Sequence, residues 1–453
     1  MNISVVILAA GQGTRMRSSL PKVLHPLAGQ PMLAHAIATS EALAPENICI
    51  VCGHGADQVK AAFPDKNLQW VLQDPQIGTG DAVKQALPHL PQDNVAIIIF
   101  GDVPLVKPST ISSLVSSGVD GPAVLTVIEE NPSGYGRIIR DSSGAVVAIV
   151  EDKDATEAER TINEVNTGLL ACPVKMLGPW LNALQSENAQ GEYYLTDIVA
   201  IAVNEGIKVA AVTANSASEV MGINDKQQLA HAERLYQARI AEHLMAEGVT
   251  LFDPARIDVR GQLHCGKDVS IDINAVFIDD VTLGDNVSIG PNCVISNSVI
   301  GSGSSIKANS VLEAAVVGAS CEIGPFARLR AESDVRDHAR VGNFVEIKKT
   351  VLGEGSKANH LTYLGDAEIG SNVNVGCGTI TCNYDGAQKH KTVIGDNAFI
   401  GSGVELVAPV TVEEGATIGA GSTISKDAPE GKLTLERAQQ KTISGWIRPT
   451  KNK

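Results

Sequence analysis

The chain has 453 residues, eight cysteines and a net charge of −15; it is too long for one compact core and too acidic for nonspecific attachment to nucleic acid. No stretch approaches the roughly 18 uncharged apolar residues of a membrane span, and Met1 to Leu8 has neither the basic flank nor the length of a secretory leader. A cytoplasmic protein is expected, with reduced cysteines, small-molecule partners and no membrane or nucleic-acid partner.

From Ile3 to about Asn224, short apolar runs alternate with amphipathic stretches: Ile3 to Leu8, Ile48 to Cys52, Val95 to Phe100 and Ala123 to Ile128. Runs of this kind suit strands buried on both faces, so residues 1–224 are read as an α/β head with a mainly parallel sheet, Rossmann-like in outline. The first run leads into Leu8-Ala9-Ala10-Gly11-Gln12-Gly13-Thr14-Arg15-Met16. Glycines at such a turn let backbone N–H groups approach phosphate oxygens. Met16 stands where a dinucleotide fingerprint needs its third glycine, which counts against that fold. The run Val95 to Phe100 ends in Gly101-Asp102, placing a carboxylate beyond a buried strand, where ligands of open α/β sheets bind. A hard cation such as Mg²⁺ takes oxygen ligands and shares its shell with substrate phosphate, so one carboxylate with few helpers suffices.

The loop, its Arg15 and the following Pro21-Lys22 together resemble the signature of sugar-nucleotide pyrophosphorylases. That resemblance implies a loop cradling a nucleoside triphosphate through Leu8, Ala9, Ala10, Gly11 and Gly13. It makes Arg15 and Lys22 catalytic cations and Asp102 and Asn224 the metal ligands. It also implies that Gln73, Gly78, Thr79, Phe100, Gly101, Gly136, Glu151, Asn166, Tyr194 and Thr196 line the uracil and N-acetylhexosamine pockets.

Residues 225–247 follow as one helix of about 34 Å linking two domains, with Leu229, Tyr236, Ile240 and Leu244 on a stripe and Gly248 as its C-cap. From 248 to 453 the apolar period becomes six. Ile271, Phe277, Leu283, Ile289 and Ile295 form one series; Val317, Ile323, Leu329, Val335, Val341 and Ile347 another; and Ile394, Ile400, Leu406, Val412, Ile418 and Ile424 a third. An α-helix would scatter residues six apart, whereas a three-sided parallel β-helix turns each of them inward. The register lapses between Val375 and Ile394, where Cys382-Asn383-Tyr384-Asp385-Gly386 predicts a loop pushed out from the coil.

The period alone fits either an acyltransferase or an oligomerisation stem. Rungs recur about every 18 residues, so Arg330 and Lys348 should stack, and exposed like charges in register repel unless an anion lies between them, which favours a sugar-phosphate site. His360 lies two residues past the inward Ala358, hence on the outside, where a neutral imidazole could take a proton from an amine. The string Asn359-His360-Leu361-Thr362-Tyr363-Leu364-Gly365-Asp366 resembles the acetyltransferase half of one bifunctional family, N-acetylglucosamine-1-phosphate uridylyltransferase joined to glucosamine-1-phosphate N-acetyltransferase, and the likeness spans essentially the whole chain. The resemblance implies a left-handed β-helix with His360 as general base, and Arg330, Lys348, Tyr363 and Asn374 on glucosamine-1-phosphate. Acetyl-CoA would lie on Cys377, Asn383, Tyr384, Ser402, Ala420 and Arg437. It further implies Mg²⁺, UTP, N-acetylglucosamine-1-phosphate and a homotrimer. Cys377 departs from the alanine of the family pattern, so only its backbone role carries over. Cys49 and Cys52 have redox spacing but fall within a strand pattern, and no redox or zinc role is expected of them.

Overall fold

The computed structural model describes residues 2–64 and 66–451. The chain divides into two compact units, Met1–Tyr236 and Gln237–Lys453.

The first unit is built on a sheet with seven main strands: β1 Ile3–Ala9, β2 Asn47–Cys52, β3 Gln69–Leu72, β4 Val95–Phe100, β5 Ala123–Ile128, β6 Glu164–Pro173 and β7 Ala210–Thr213. Their order is β7-β5-β6-β4-β1-β2-β3, with a side ribbon of Arg137–Arg140 and Val146–Val150. All neighbours run parallel except β6, which is antiparallel to β4 and β5. Both faces are covered: Val5, Ile7, Ile97 and Ile99 pack into one core, and Val6, Leu8, Ala96 and Ile98 into the other. Two-sided burial is why these strands read as unbroken apolar runs. The chain leaves β1 for β2 on one side and reaches β4 on the other, and at the carboxyl ends of β1 and β4 it opens a crevice. Gly101 N–H donates to Leu8 C=O there at 3.0 Å, fixing the two loops side by side.

The long helix runs Lys226–Ala246, and the boundary between the units falls within it. Its apolar stripe serves two cores. Leu229 and Tyr236 pack with Leu27, Met32 and Leu105 in the first unit; Ile240 and Leu244 join the coil's core in the second.

The second unit is a three-sided parallel β-helix. Strand pairing aligns Ile271, Ile289, Ile306, Ile323 and Val341 on one side and Phe277, Ile295, Leu312, Leu329 and Ile347 on the next. A third column contains Leu283, Ile300, Val317, Val335 and Leu352. All fifteen are buried. Each coil buries little alone, so stability comes from stacking along the axis. Corners need left-handed backbone, and on one edge Asn292 and Asn309 supply it, then Phe326, Phe344 and Leu361, then Gly378, Gly403 and Gly421. The expected excursion lies between the strands Ile380–Cys382 and Thr392–Ile394, closed by a bridge between Tyr384 and Lys389. Among the described residues no helix is long and apolar enough to cross a membrane.

Candidate active sites

Two adjoining cavities of about 520 and 230 Å³ open at the carboxyl ends of β1 and β4. The larger is lined by Leu8, Ala9, Ala10 and Gly11 from the glycine loop, by Lys22, by Gln73, Gly78 and Thr79, and by Phe100 and Asp102. The smaller takes Gly136, Glu151, Asn166 and Thr196 and shares Thr79 and Phe100 with the first. The larger cavity therefore continues into the smaller one at Thr79 and Phe100, the outline of a nucleotide joined to a sugar.

Lys22 organises the larger cavity. Its ammonium forms an ion pair with the Asp102 carboxylate and donates to Asn224 Oδ1 at 2.8 Å. Gly13 permits this approach. Its φ is 62°, and a methyl group there would lie 2.6 Å from Lys22 Cβ. Asn224 is steadied in turn, its N–H donating to Gln228 Oε1 at 2.7 Å. Among the described residues no group of three or more His, Cys, Asp or Glu side chains could hold a metal, so the available donor set is one carboxylate and one amide oxygen. Those two oxygens already converge on one positive charge, which is the arrangement a hard divalent cation would use.

In the smaller cavity, β6 slips register against β5 between Asn166 and Leu170, and the bulge opens the wall. Asn166 Oδ1 accepts from Gly168 N–H at 3.1 Å, and Asn166 N–H donates to Gly136 C=O at 2.8 Å. Glu151 accepts from Thr196 Oγ1 at 2.9 Å, and burial raises its carboxyl above the ordinary range. Of the predicted residues, Gly13, Arg15, Gly101, Tyr194 and Asn224 line neither cavity, Asn224 reaching the larger one through Lys22. Gly13 and Gly101 act through backbone placement, Arg15 is exposed on the loop, and buried Tyr194 accepts from Gln190 at 3.0 Å. Sequence reasoning missed Gln12 and Gln76 in the first cavity and Tyr135 in the second. Tyr135 lies beside the predicted Gly136, which was its one signal.

On the coil, the predicted residues gather at two edges of one side. Along the first edge, Asn343 and His360 are register partners, and His360 Nδ1 lies 2.9 Å from Asn343 Oδ1. His360 is exposed. Below it Gly403 N–H donates to Cys377 C=O at 2.7 Å, Gly421 N–H donates to Ser402 C=O at 2.9 Å, and Arg437 comes down beside Gly421. Cys377, Ser402, Ala420 and Arg437 thus share a corner, with Asn374 on the adjoining strand.

Along the second edge Arg330 N–H donates to Ile347 C=O at 2.8 Å, which places Arg330 beside Lys348 as the period required. Contrary to the expectation from register, the stacked charges are not left to repel. Glu346 pairs with Arg330 at 2.9 Å, so a protein carboxylate answers that charge and no bound anion is needed to explain the stack. Lys348 meets Lys389 instead, a residue the sequence did not single out because the excursion has no register. The proximity of Lys389 holds Lys348 below the ordinary lysine range, while Lys389 is raised by its coupling to Lys348 and then by Asp366. Asn383 donates to Asp366 Oδ2 at 2.5 Å and lies 3.5 Å from the Tyr363 hydroxyl, so it belongs with the phosphate-side residues. Tyr384 is exposed on the excursion.

The cysteines are free. Burial raises Cys49 to about 11 and Cys52 to about 12, as suits inert core thiols in β2.

Comparison with known proteins fits this division. Residues 5–190 match the MobA-like NTP transferase domain, residues 259–375 the GMPPB C-terminal domain and residues 391–426 the bacterial transferase hexapeptide in six repeats. The chain is 54% identical over 452 residues to Bifunctional protein GlmU of Azoarcus sp., covering 100% of both chains. It is 56% identical over 450 residues to Bifunctional protein GlmU of Marinobacter nauticus, covering 99% of both. The chain therefore belongs to the bifunctional GlmU family, in which an α/β uridylyltransferase and a left-handed β-helical acetyltransferase share one polypeptide and make UDP-N-acetylglucosamine.

Proposed function

We propose that the larger head cavity binds UTP and the smaller one N-acetylglucosamine-1-phosphate, and that the sugar phosphate's oxygen attacks the α-phosphorus as pyrophosphate leaves. The observation that carries this reading is Lys22 held between Asp102 and Asn224 at the mouth of a backbone-lined phosphate loop. Asp102 and Asn224 would hold Mg²⁺, which when bound offsets charge on the triphosphate. Lys22 and Arg15 supply further positive charge, and the loop's N–H groups orient the phosphates for in-line displacement. Glu151 and Asn166 grip sugar hydroxyl and acetamide groups in the bulge-lined pocket.

The coil supplies that substrate. His360 takes the proton from the amine of glucosamine-1-phosphate as it attacks the acetyl-CoA thioester, and free CoA leaves. Asn343 accepts from Nδ1–H, which leaves Nε2 with its lone pair free to act as base. Arg330, Lys348, Lys389 and Tyr363 bind the phosphate. Gly365, the register partner of Lys348, lies five residues beyond His360 on the strand, with the Leu361 corner between them. An aminosugar 1-phosphate carries its amine and its phosphate on adjacent ring carbons. In an assembly of several copies, the His360 corner of one would face the Lys348 edge of another. Exposed Phe326 and Phe344, stacked at 5.4 Å, and Leu361 flank that corner with an apolar strip for such a contact. A homotrimer closes three such sites by symmetry.

The test is incubation with acetyl-CoA, UTP, Mg²⁺ and glucosamine-1-phosphate. UDP-N-acetylglucosamine, CoA and pyrophosphate should form in equal amounts. Sugar nucleotide formed only from pre-acetylated substrate would reduce the coil to a structural stem.

A further inference from the structure

We propose that Asp81 sets the base specificity of the head by locking the side-chain amide of Gln73; this rests on the larger cavity being the nucleotide site. Gln73 is buried, at 4% exposure, and lines that cavity. Its Nε2 donates to Gly78 C=O at 2.9 Å and to Asp81 Oδ2 at 2.8 Å. A carbonyl and a carboxylate can only accept, so both amide hydrogens must face them. The amide therefore has one allowed orientation. Oε1 is left as a pure acceptor with no hydrogen-bond partner among the described residues.

Asp81 is itself held in place. It lies in the first turn of the helix Thr79–Ala86, where the helix dipole favours a carboxylate, and its Oδ1 accepts from Gln85 Nε2 at 3.2 Å. The cavity thus presents one fixed acceptor to the base edge. A base with N3–H, such as uracil, donates to it. Cytosine presents a lone pair at N3 and meets acceptor with acceptor, which a buried site rejects strongly. Without the Asp81 acceptor only Gly78 C=O restrains the amide, and a turned amide would offer cytosine a donor.

The experiment gives the full-length enzyme equal UTP and CTP with N-acetylglucosamine-1-phosphate and measures the ratio of UDP-sugar to CDP-sugar. Asp81→Ala should lower that ratio about tenfold, the worth of one charge-assisted hydrogen bond. Asp81→Asn can keep a carbonyl oxygen in the same place and should stay within about threefold of the parent. Asp81→Ser removes the same charge and replaces Ala in the comparison if that variant is unstable. An unchanged ratio in Asp81→Ala, or in Asp81→Ser where that replaces it, or both products falling in equal proportion, overturns the proposal. Gln73→Ala separates the two levels. If it keeps the parent ratio, the base is not read here and the pocket assignment fails as well; if it loses the ratio while Asp81→Ala does not, the Asp81 role alone fails.

Discussion

Lys22 donates to Oδ1 of Asn224 at 2.8 Å across 202 residues of chain, so the segment after the glycine loop is tied to the segment that opens the long helix. Both meet again at Asp102. A cation that organises the two proposed metal ligands, and neutralises phosphate when substrate arrives, should tolerate little change.

Lys22→Met should lower kcat/KM for uridylyl transfer by roughly a hundredfold or more, in the range of removing a positioned electrostatic group. Lys22→Arg should recover only part, because a guanidinium fork does not fill the place of a point charge. Acetyl transfer, measured on the same preparations by CoA release, should be unchanged.

Asn343→Ala removes the acceptor that orients the His360 imidazole. The kcat of acetyl transfer should fall about tenfold, within the usual worth of general-base positioning, with little change in KM for either substrate. A rise in KM alone would assign Asn343 to binding.

The Lys348 and Lys389 pair predicts an unusual alkaline limb. Phosphate binding needs both ammonium groups, and Lys348 is held below the ordinary lysine range, chiefly by Lys389. KM for glucosamine-1-phosphate should therefore rise with pH before the usual lysine range is reached. Lys389→Ala removes that cause, so the variant should bind more weakly at neutral pH yet show its remaining alkaline rise at higher pH.

Glu151 gives a stability signature in the head. Burial raises its carboxyl, so folding favours the neutral form; its stabilising effect is full below the unfolded value and is lost as pH rises through the folded value. Glu151→Gln keeps an oxygen to accept from Thr196 and sheds the buried charge. Differential scanning calorimetry should show a higher melting temperature for this variant at pH 7, the gain shrinking toward the ordinary glutamate range, while KM for the sugar phosphate rises.

The parts of this molecule readable in advance were those with a period or a local motif. Two-sided burial marked β1 and β4, and inward packing every sixth residue marked the coil, because both patterns follow from backbone geometry. Arg330 beside Lys348 followed from rung spacing alone. Glu346 as the partner of Arg330 did not, since the outward residue of each rung carries no period. Lys389 and Asn383 lie in the excursion, where no register predicts what they touch. The meeting of Lys22, Asp102 and Asn224 depends on sheet order, which a linear reading supplies only through a family likeness. Asp81 was missed for a related reason: its function is to turn another side chain, and such pairings leave no spacing signature.

The central claim is that one chain carries two separate reactions, and complementation tests it most directly. Asp102→Ala should abolish uridylyl transfer and retain acetyl transfer, and His360→Ala should do the reverse. Mixing the two purified variants with acetyl-CoA, UTP, Mg²⁺ and glucosamine-1-phosphate should restore UDP-N-acetylglucosamine synthesis, with N-acetylglucosamine-1-phosphate detectable as the free intermediate. Loss of both activities in either folded variant, or no product from the mixture, would contradict the two-site account.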